Sequence, residues 1–257
     1  MSSLAALTAS PRPARTAIAA LGAGLLLAVA GCSFTDGGPK KTTEAGATIG
    51  ESVTAVEVTD ARAGSIEVTP GSGPGVTVRR TVHYRGDTAP APGQRVSGGV
   101  LTFTNGCSGS CYIDYRLEVP ASAAVRLDNS SGRITVTGVA SADLSSDSGP
   151  VTAERITGPL KVRTSSGRIT AAGLSGPSAQ VHSDSGDARL DFTAAPKSVT
   201  AETGSGDVTL KVPAAPYEIA VSTTSGDREV ALPSTPAAAS RLSAKTTSGD
   251  LRISAAG

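Results

Sequence analysis

The sequence predicts an all-β protein whose body is a single-stranded parallel β-solenoid, similar to a β-helix, of about seven short rungs with an N-terminal β-strand cap. Two observations support this prediction. Ser-Gly pairs recur through the C-terminal half of the chain at intervals of about 20 residues. On both sides of each pair, apolar residues alternate with polar ones. A fixed period of this length is typical of solenoids, in which each repeat stacks only on its neighbours.

Each repeat has the pattern strand, Ser-Gly corner, strand. Apolar residues stand two and four positions after the Gly and five before it, which is β-strand periodicity with one face buried. We expect the corner Gly to adopt a positive φ. Arg228 replaces an apolar residue in one repeat, and we expect a local register shift there, with Val230 and Leu232 still buried. The corner glycines are Gly132, Gly149, Gly167, Gly186, Gly206, Gly226 and Gly249.

Small polar side chains form a column three residues before each corner Gly. Inside a solenoid such side chains can hydrogen-bond backbone groups near the corner, so we expect a ladder of these contacts. The column consists of Asn129, Ser146, Thr164, Ser183, Thr203, Thr223 and Thr246.

The composition fits a thin, repetitive core. The chain has 257 residues, with 4 Tyr, 3 Phe and no Trp, and a compact globule of this length would bury more bulk. Its 23 Lys and Arg balance 22 Asp and Glu. This near-neutral charge gives no electrostatic case for nucleic acid as a partner.

Residues 1–31 are predicted to be a lipoprotein signal peptide. Arg12 and Arg15 precede an apolar stretch from Ile18 to Val29 that is short for a spanning helix. The following run, Leu-Ala-Val-Ala-Gly-Cys ending at Cys32, resembles the bacterial lipobox. The resemblance implies cleavage before Cys32 and a diacylglycerol on its thiol, which would anchor the chain to the outer face of the cytoplasmic membrane. A cleaved signal peptide with an incidental Cys, or an uncleaved anchor, are the alternatives.

Two segments separate the signal peptide from the repeats. Residues 32–50 are polar, lack a strand pattern and are predicted to be a flexible tether. Residues 51–120 are predicted to be an N-terminal β-cap continuous with the solenoid repeats of residues 121–257, a separate small β-domain being the alternative. The cap's aromatic residues are expected to thicken its core and are also candidates for a recognition surface: Tyr84, Phe103, Tyr112 and Tyr115.

Cys107 and Cys111 are close together in the cap. In an extracytoplasmic protein this favours a small disulfide-closed loop, which would act as a local pin. A metal site is the alternative, but no His or third Cys lies nearby in sequence.

The chain resembles a known family. The run from Tyr115 to Pro120, the strand pattern from Val125 to Val136, and the repeated Thr-Ser-Ser-Gly-Arg-Ile and Thr-Thr-Ser-Gly-Asp motifs are similar to those of the bacterial "putative adhesin" β-strand-repeat family, a domain of unknown function. The resemblance covers most of residues 52–253. It implies a β-solenoid on the cell envelope and carries over no catalytic residues.

Two groups of polar residues were tested as sites of chemistry. His182, Ser183 and Asp184 are consecutive, but neighbours on a strand point to opposite faces and cannot form a catalytic triad. An acidic column follows the last corners, and stacked carboxylates could bind a hard cation such as Ca²⁺ or could instead bond backbone N–H groups and nearby Arg side chains. This weak metal candidate comprises Asp187, Asp207, Asp227 and Asp250.

The sequence therefore predicts a non-enzymatic, lipid-anchored envelope protein, an adhesin-like display or interaction module without a cofactor. Its expected partners are the membrane, through the lipid on Cys32, and a cell-wall polymer or an envelope protein. An accessory role in envelope-stress signalling is the alternative, and a polysaccharide-binding or polysaccharide-active protein is the third.

Overall fold

The computed structural model describes residues 39–59, 61–107 and 110–256. These residues form strands and connecting turns, with no helix among them and hence none long and apolar enough to cross a membrane. The strands, in chain order, are β1 (Lys41–Ile49), β2 (Ala55–Val58), β3 (Ile66–Gly71), β4 (Val76–Tyr84), β5 (Gly93–Ser97), β6 (Val100–Thr104), β7 (Tyr112–Pro120), β8 (Ala124–Asn129), β9 (Ile134–Thr137), β10 (Ser141–Ser146), β11 (Val151–Glu154), β12 (Leu160–Thr164), β13 (Ile169–Leu174), β14 (Ser178–Ser183), β15 (Ala188–Phe192), β16 (Ser198–Ser205), β17 (Val208–Val212), β18 (Glu218–Ser225), β19 (Arg228–Val230), β20 (Arg241–Ser248) and β21 (Leu251–Ala255).

The strands form two sheets that are mostly parallel. Among the described residues, sheet A has eleven strands in the order β1-β4-β7-β3-β9-β11-β13-β15-β17-β21-β19, and sheet B has ten in the order β18-β20-β16-β14-β12-β10-β8-β2-β6-β5. Consecutive strands of a repeat alternate between the sheets, so that each strand pair, called a rung below, stacks on the next. The all-β class and the parallel stacking are thus confirmed, and the arrangement is consistent with a β-solenoid.

The core lies between the sheets and is made of stacked columns. In sheet A, Ile134, Val151 and Ile169 are fully buried and lie in register on adjacent strands. In sheet B, Leu127, Leu144 and Val162 stack in the same way. Identical spacing of apolar residues on successive rungs lets each side chain pack on its counterpart about 4.8 Å away.

The spatial order of rungs differs from chain order at both ends. The last rung, β20–β21, lies between β16–β17 and β18–β19. At the other end, β2–β3 lies between β6–β7 and β8–β9. Two parallel strand pairs of the N-terminal segment therefore belong to the same stack as the seven Ser-Gly repeats, and the predicted count of about seven rungs is not confirmed.

The N-terminal end is closed by antiparallel strands. β4 pairs with β7 on one side and with β1 on the other, while β5 and β6 form a hairpin at the edge of sheet B. The prediction of a flexible tether over residues 32–50 is wrong for Lys41–Ile49, which pairs with β4 along its whole length. The alternation of apolar and polar residues in this strand is weak, and the sequence pattern therefore does not indicate it. Residues 32–38 lie outside the described residues.

The corner glycines are required by close packing between rungs. A Cβ on Gly149 would overlap the carbonyl oxygen of Gly132, and one on Gly167 would overlap that of Gly149. The predicted positive φ is found at Gly226 and Gly249, at 141° and 151°. That prediction is wrong for the other five corner glycines of the repeats, where the neighbouring rung leaves no room for a side chain.

The column of small polar side chains bonds these corners, as predicted. Ser146, Thr164 and Ser183 accept hydrogen bonds from the N–H of the Gly three residues later, at 2.8 to 2.9 Å. Further along the stack the direction changes. Thr203 and Thr246 donate to glycine carbonyl oxygens of the neighbouring rung, both at 3.0 Å. The buried hydroxyls thus satisfy backbone groups that have turned away from the sheet ladders.

Arg228 marks the open end of the stack. It pairs in register with Leu251, so the expected register shift is wrong, and Val230, expected to be buried, is 36% exposed. The side chain at this position needs no apolar partner because β18–β19 is the outermost rung. A short edge strand with a charge at a core-facing position is a known protection against edge-to-edge pairing of chains.

Gly167→Ala should destabilise the fold by about 1–3 kcal/mol, because the new methyl must displace the carbonyl of Gly149 and the Thr164 hydroxyl. Urea unfolding of the full chain measures this change. Gly73→Ala is the control, since no atom beyond the adjacent residues lies within 4 Å of its Cβ position. Equal midpoints for the two variants would contradict the packing role of the corner column.

Arg228→Val should promote end-to-end association, because it removes the charge from the outermost rung and continues the apolar column. We expect the dimer dissociation constant to fall about tenfold or more, measured by light scattering at several protein concentrations. Arg189→Val, on the outer face of the central strand β15, is the control. A monomeric Arg228→Val protein would show that the charge does not protect this end.

Candidate functional site

The acidic column forms a hydrogen-bonded ladder at the corners. Along the stack, the N–H of Asp207 donates to Asp187 Oδ1 at 3.2 Å, and that of Asp250 donates to Asp207 Oδ1 at 2.9 Å. The N–H of Asp227 then donates to Asp250 Oδ1 at 3.0 Å. Because the last two rungs are exchanged, Asp250 lies between Asp207 and Asp227.

This ladder accounts for the carboxylates without a metal. Arg168 Nη2 lies 3.3 Å from Asp187 Oδ2 and neutralises the first member of the column. Within the described ranges, no group of three or more His, Cys, Asp or Glu side chains is arranged to hold a metal ion. The carboxylates of Asp187, Asp207 and Asp250 instead each accept the N–H of the next Asp in the stack, which is the arrangement expected of Asp at solvated turns.

His182 and Ser183 are separated as their strand positions require. His182 is exposed, with Nε2 3.2 Å from Asp184 Oδ1 and Nδ1 3.7 Å from Glu202 Oε2. Ser183 is fully buried on the opposite face, where its hydroxyl holds the Gly186 N–H. The two side chains therefore cannot act on one substrate.

A polar cluster in the N-terminal segment was not predicted. Asp114 Oδ1 accepts hydrogen bonds from the N–H and the hydroxyl of Ser65, both at 2.7 Å, and Asp114 Oδ2 is 2.8 Å from His83 Nε2. The His83 ring stacks on Tyr112 at 4.4 Å. The carboxylate lies between Ser65 and His83, whereas a nucleophilic triad needs the imidazole in the middle. The cluster ties β4 and β7 to the start of β3.

Hydrogen bonding sets the charge state of Asp114. Burial acts to raise the pKa of its carboxyl, but the bonds from Ser65 and His83 outweigh burial and hold the pKa below its ordinary value. One signal of the cluster is visible in the sequence, an Asp and a His on strands with otherwise apolar alternation. Their pairing depends on the antiparallel register of β4 with β7, in which His83 is opposite Tyr112.

The cap aromatics are divided between core and surface. Tyr115 is buried and meets the Phe103 ring edge to face at 5.3 Å, whereas Tyr84 and Tyr112 are half-buried. The guanidinium of buried Arg80 lies 5.4 Å from the Phe103 ring and donates to the carbonyl of Pro92 at 3.0 Å. Desolvation lowers the pKa of Arg80, although the charge of Tyr115 opposes this. These contacts support the expectation that the aromatics thicken the cap's core.

The predicted disulfide is present. Cys107 and Cys111 are bonded, with their Cα atoms 5.5 Å apart, and the N–H of Cys107 donates to Asn105 Oδ1 at 2.9 Å. The bond lies between β6 and β7, where the chain passes from sheet B to sheet A. Cys32, the predicted lipidation site, lies outside the described residues.

The outer face of sheet B contains a groove that runs across the strands. It has a volume of about 410 Å³ and continues, past Lys161 and Gln180, into a second depression of about 440 Å³. The groove is a step in side-chain height between two rows that lie in register. Small residues form the low row: Ala55, Ala124, Ser141 and Ser178. Long polar residues form the high row: Glu57, Arg126, Asp143, Lys161 and Gln180.

Asp114→Asn should lower the free energy of unfolding by about 1 kcal/mol at pH 7, because an amide is a weaker acceptor than a partly exposed carboxylate. The folded-state pKa is depressed, so the carboxylate's contribution is complete above its unfolded pKa and is lost as pH falls through the folded value. Urea unfolding at pH 7 and near pH 3 should therefore show the difference from wild type shrinking in acid. Asp191→Asn, exposed on sheet A, is the control; a pH-independent difference would contradict the assignment.

Comparisons with known proteins agree with this fold. The chain is similar to a crystal structure of a "putative adhesin" from Bacteroides fragilis, with 13% identity, a TM-score of 0.53, and 83% of this chain and 97% of the other covered. A "putative adhesin" from Parabacteroides distasonis has 11% identity and a TM-score of 0.43, with 84% and 97% covered. No curated protein matches the chain in sequence. The family model Toastrack DUF4097 matches residues 94–256, and the chain therefore belongs to the Toastrack DUF4097 family.

Proposed function

We propose that this protein is a non-enzymatic, adhesin-like binding module of the bacterial cell envelope, held at the outer face of the cytoplasmic membrane by a lipid on Cys32. The observation that carries the proposal is the groove on sheet B, an extended polar surface built by in-register rows on five successive strands. A rigid surface of this kind suits binding to a long partner better than catalysis on a small one.

The internal use of the polar side chains supports a non-enzymatic role. The serines and threonines of the column before the corner hold glycine backbones, and the acidic column bonds itself along the corners. The Ser65–Asp114–His83 cluster has its carboxylate in the middle. Among the described residues, these candidate nucleophiles and bases are thus engaged in contacts that hold strands and corners together.

The structural neighbour, the lipobox-like run and the disulfide support an adhesin-like role outside the cytoplasm. The Bacteroides fragilis protein, whose fold is similar at a TM-score of 0.53, is named a "putative adhesin". The lipobox-like run before Cys32 would place the folded part outside the cytoplasmic membrane. The disulfide between Cys107 and Cys111 fits an oxidising compartment.

Binding to purified cell-wall sacculi tests the function. Detergent-solubilised full-length protein should co-sediment with sacculi, and prolonged incubation should release no soluble wall fragments. Protein that remains in the supernatant with walls and with membrane proteins alike would refute a binding role. Release of fragments would refute the non-enzymatic assignment.

The anchor is tested on the same preparation. Intact-mass spectrometry of the membrane fraction should show a chain that begins at a diacylglyceryl Cys32, and Cys32→Ser should remain uncleaved and lack the lipid. An unmodified mature N-terminus in the wild-type protein would overturn the anchor while leaving the binding function to its own test.

A further inference from the structure

We infer that the groove on the outer face of sheet B binds an uncharged, hydroxyl-rich glycan chain lying along the stack of rungs. This inference rests on the proposed function and adds to it a site and a ligand class. The groove crosses β2, β8, β10, β12 and β14, so a ligand in it would run perpendicular to the strands. It would meet an equivalent pair of side chains every ~4.8 Å.

The charges of the high row select an uncharged ligand. Glu57, Arg126, Asp143 and Lys161 alternate in sign on adjacent strands, and their formal charges cancel. A polyanion would be attracted by Arg126 and Lys161 but repelled by Glu57 and Asp143. A polycation would be attracted by the two carboxylates and repelled by the two cations. Neither gains net attraction from such a row.

Alternating acceptors and donors match the chemistry of sugar hydroxyls. Carboxylates accept hydrogen bonds, guanidinium and ammonium groups donate them, and an amide such as that of Gln180 does both. A hydroxyl both donates and accepts, so a chain of sugar rings can use each member of the row in turn. Such recognition depends on side chains that are free to engage the ligand.

The side chains of the row are largely free. Lys161 Nζ lies 3.6 Å from Asp143 Oδ2, which is the ion pair in the row. Across the part of the chain that the structure describes, the side chains of Glu57, Arg126 and Gln180 have no hydrogen bond or ion pair. This contrasts with Asp187, Asp207 and Asp250 at the corners, whose carboxylates each accept a backbone N–H.

The low row provides the floor on which a sugar ring can lie. Ala55, Ala124, Ser141 and Ser178 are small, and Pro159, which precedes β12, occupies the equivalent position between Ser141 and Ser178. The row is therefore made of short side chains, while the long side chains rise along one side. With no aromatic residue lining the groove, the contacts are mainly polar.

The experiment measures binding of defined oligosaccharides to the full-length protein in mild detergent. The probes are hexa-N-acetylchitohexaose and cellohexaose as uncharged chains, and oligogalacturonate as an acidic chain of similar length. We expect at least one uncharged probe to bind with little dependence on salt, and oligogalacturonate to bind no better. The double variant Arg126→Ala, Asp143→Ala should weaken binding tenfold or more.

The matched control is Arg189→Ala, Asp191→Ala, which removes the same residue types from the outer face of sheet A and should leave binding unchanged. The inference is overturned if neither uncharged probe binds, if both double variants behave like wild type, or if oligogalacturonate binds more tightly with strong salt dependence. Sacculus binding without oligosaccharide binding would refute the glycan site alone. Loss of both would refute the proposed function as well.

Discussion

The fold depends on the close approach of backbone at the Ser-Gly corners. Each corner Gly lies against the carbonyl of the corresponding Gly in the rung before it, so that the corners stack without side chains between them. This contact fixes the spacing of the rungs. The apolar columns, the buried hydroxyls and the acidic ladder can then repeat in register on both sides of the corner. A single side chain at one corner would disturb all three.

The repetition also shapes the surface. Residues that point outward on one strand are next to their counterparts on the following strand, so any similarity between repeats becomes a row on the outside. The groove on sheet B arises in this way, from a row of small residues beside a row of long ones. Differences between repeats are equally visible. Arg228 is the clearest case, because it interrupts an apolar column at β18–β19, which is the outermost rung at this end of the described stack.

Much of this architecture could be predicted from the sequence, and the errors have physical causes. The strands of the repeats and the hydroxyl column could be predicted from periodicity, because burial of one face of a strand places an apolar residue at every second position. The order of rungs could not be predicted in this way. Repeats with the same inward pattern fit next to one another in any order, and only Arg228 and the long interval between the last two Gly residues hinted at an exchange.

The candidate sites likewise differ in whether they could be predicted from the sequence. The disulfide followed from two cysteines close in sequence, and the structure contains it. The Ser65–Asp114–His83 cluster joins residues on three separate strands, and the groove depends on which outer rows are neighbours. Both require the register between strands, which local sequence patterns do not contain.

The exchange of the last two rungs has a consequence for how the chain folds during synthesis. The inward face of β18 and its Thr-Thr-Ser-Gly-Asp corner match those of β20, so β18 can pair with β16 before β20 has left the ribosome. The native order then requires β20–β21 to insert between two rungs that were made before it. This end of the stack therefore cannot be completed by adding rungs in chain order, and β16 must be accessible to β20 when the native order forms.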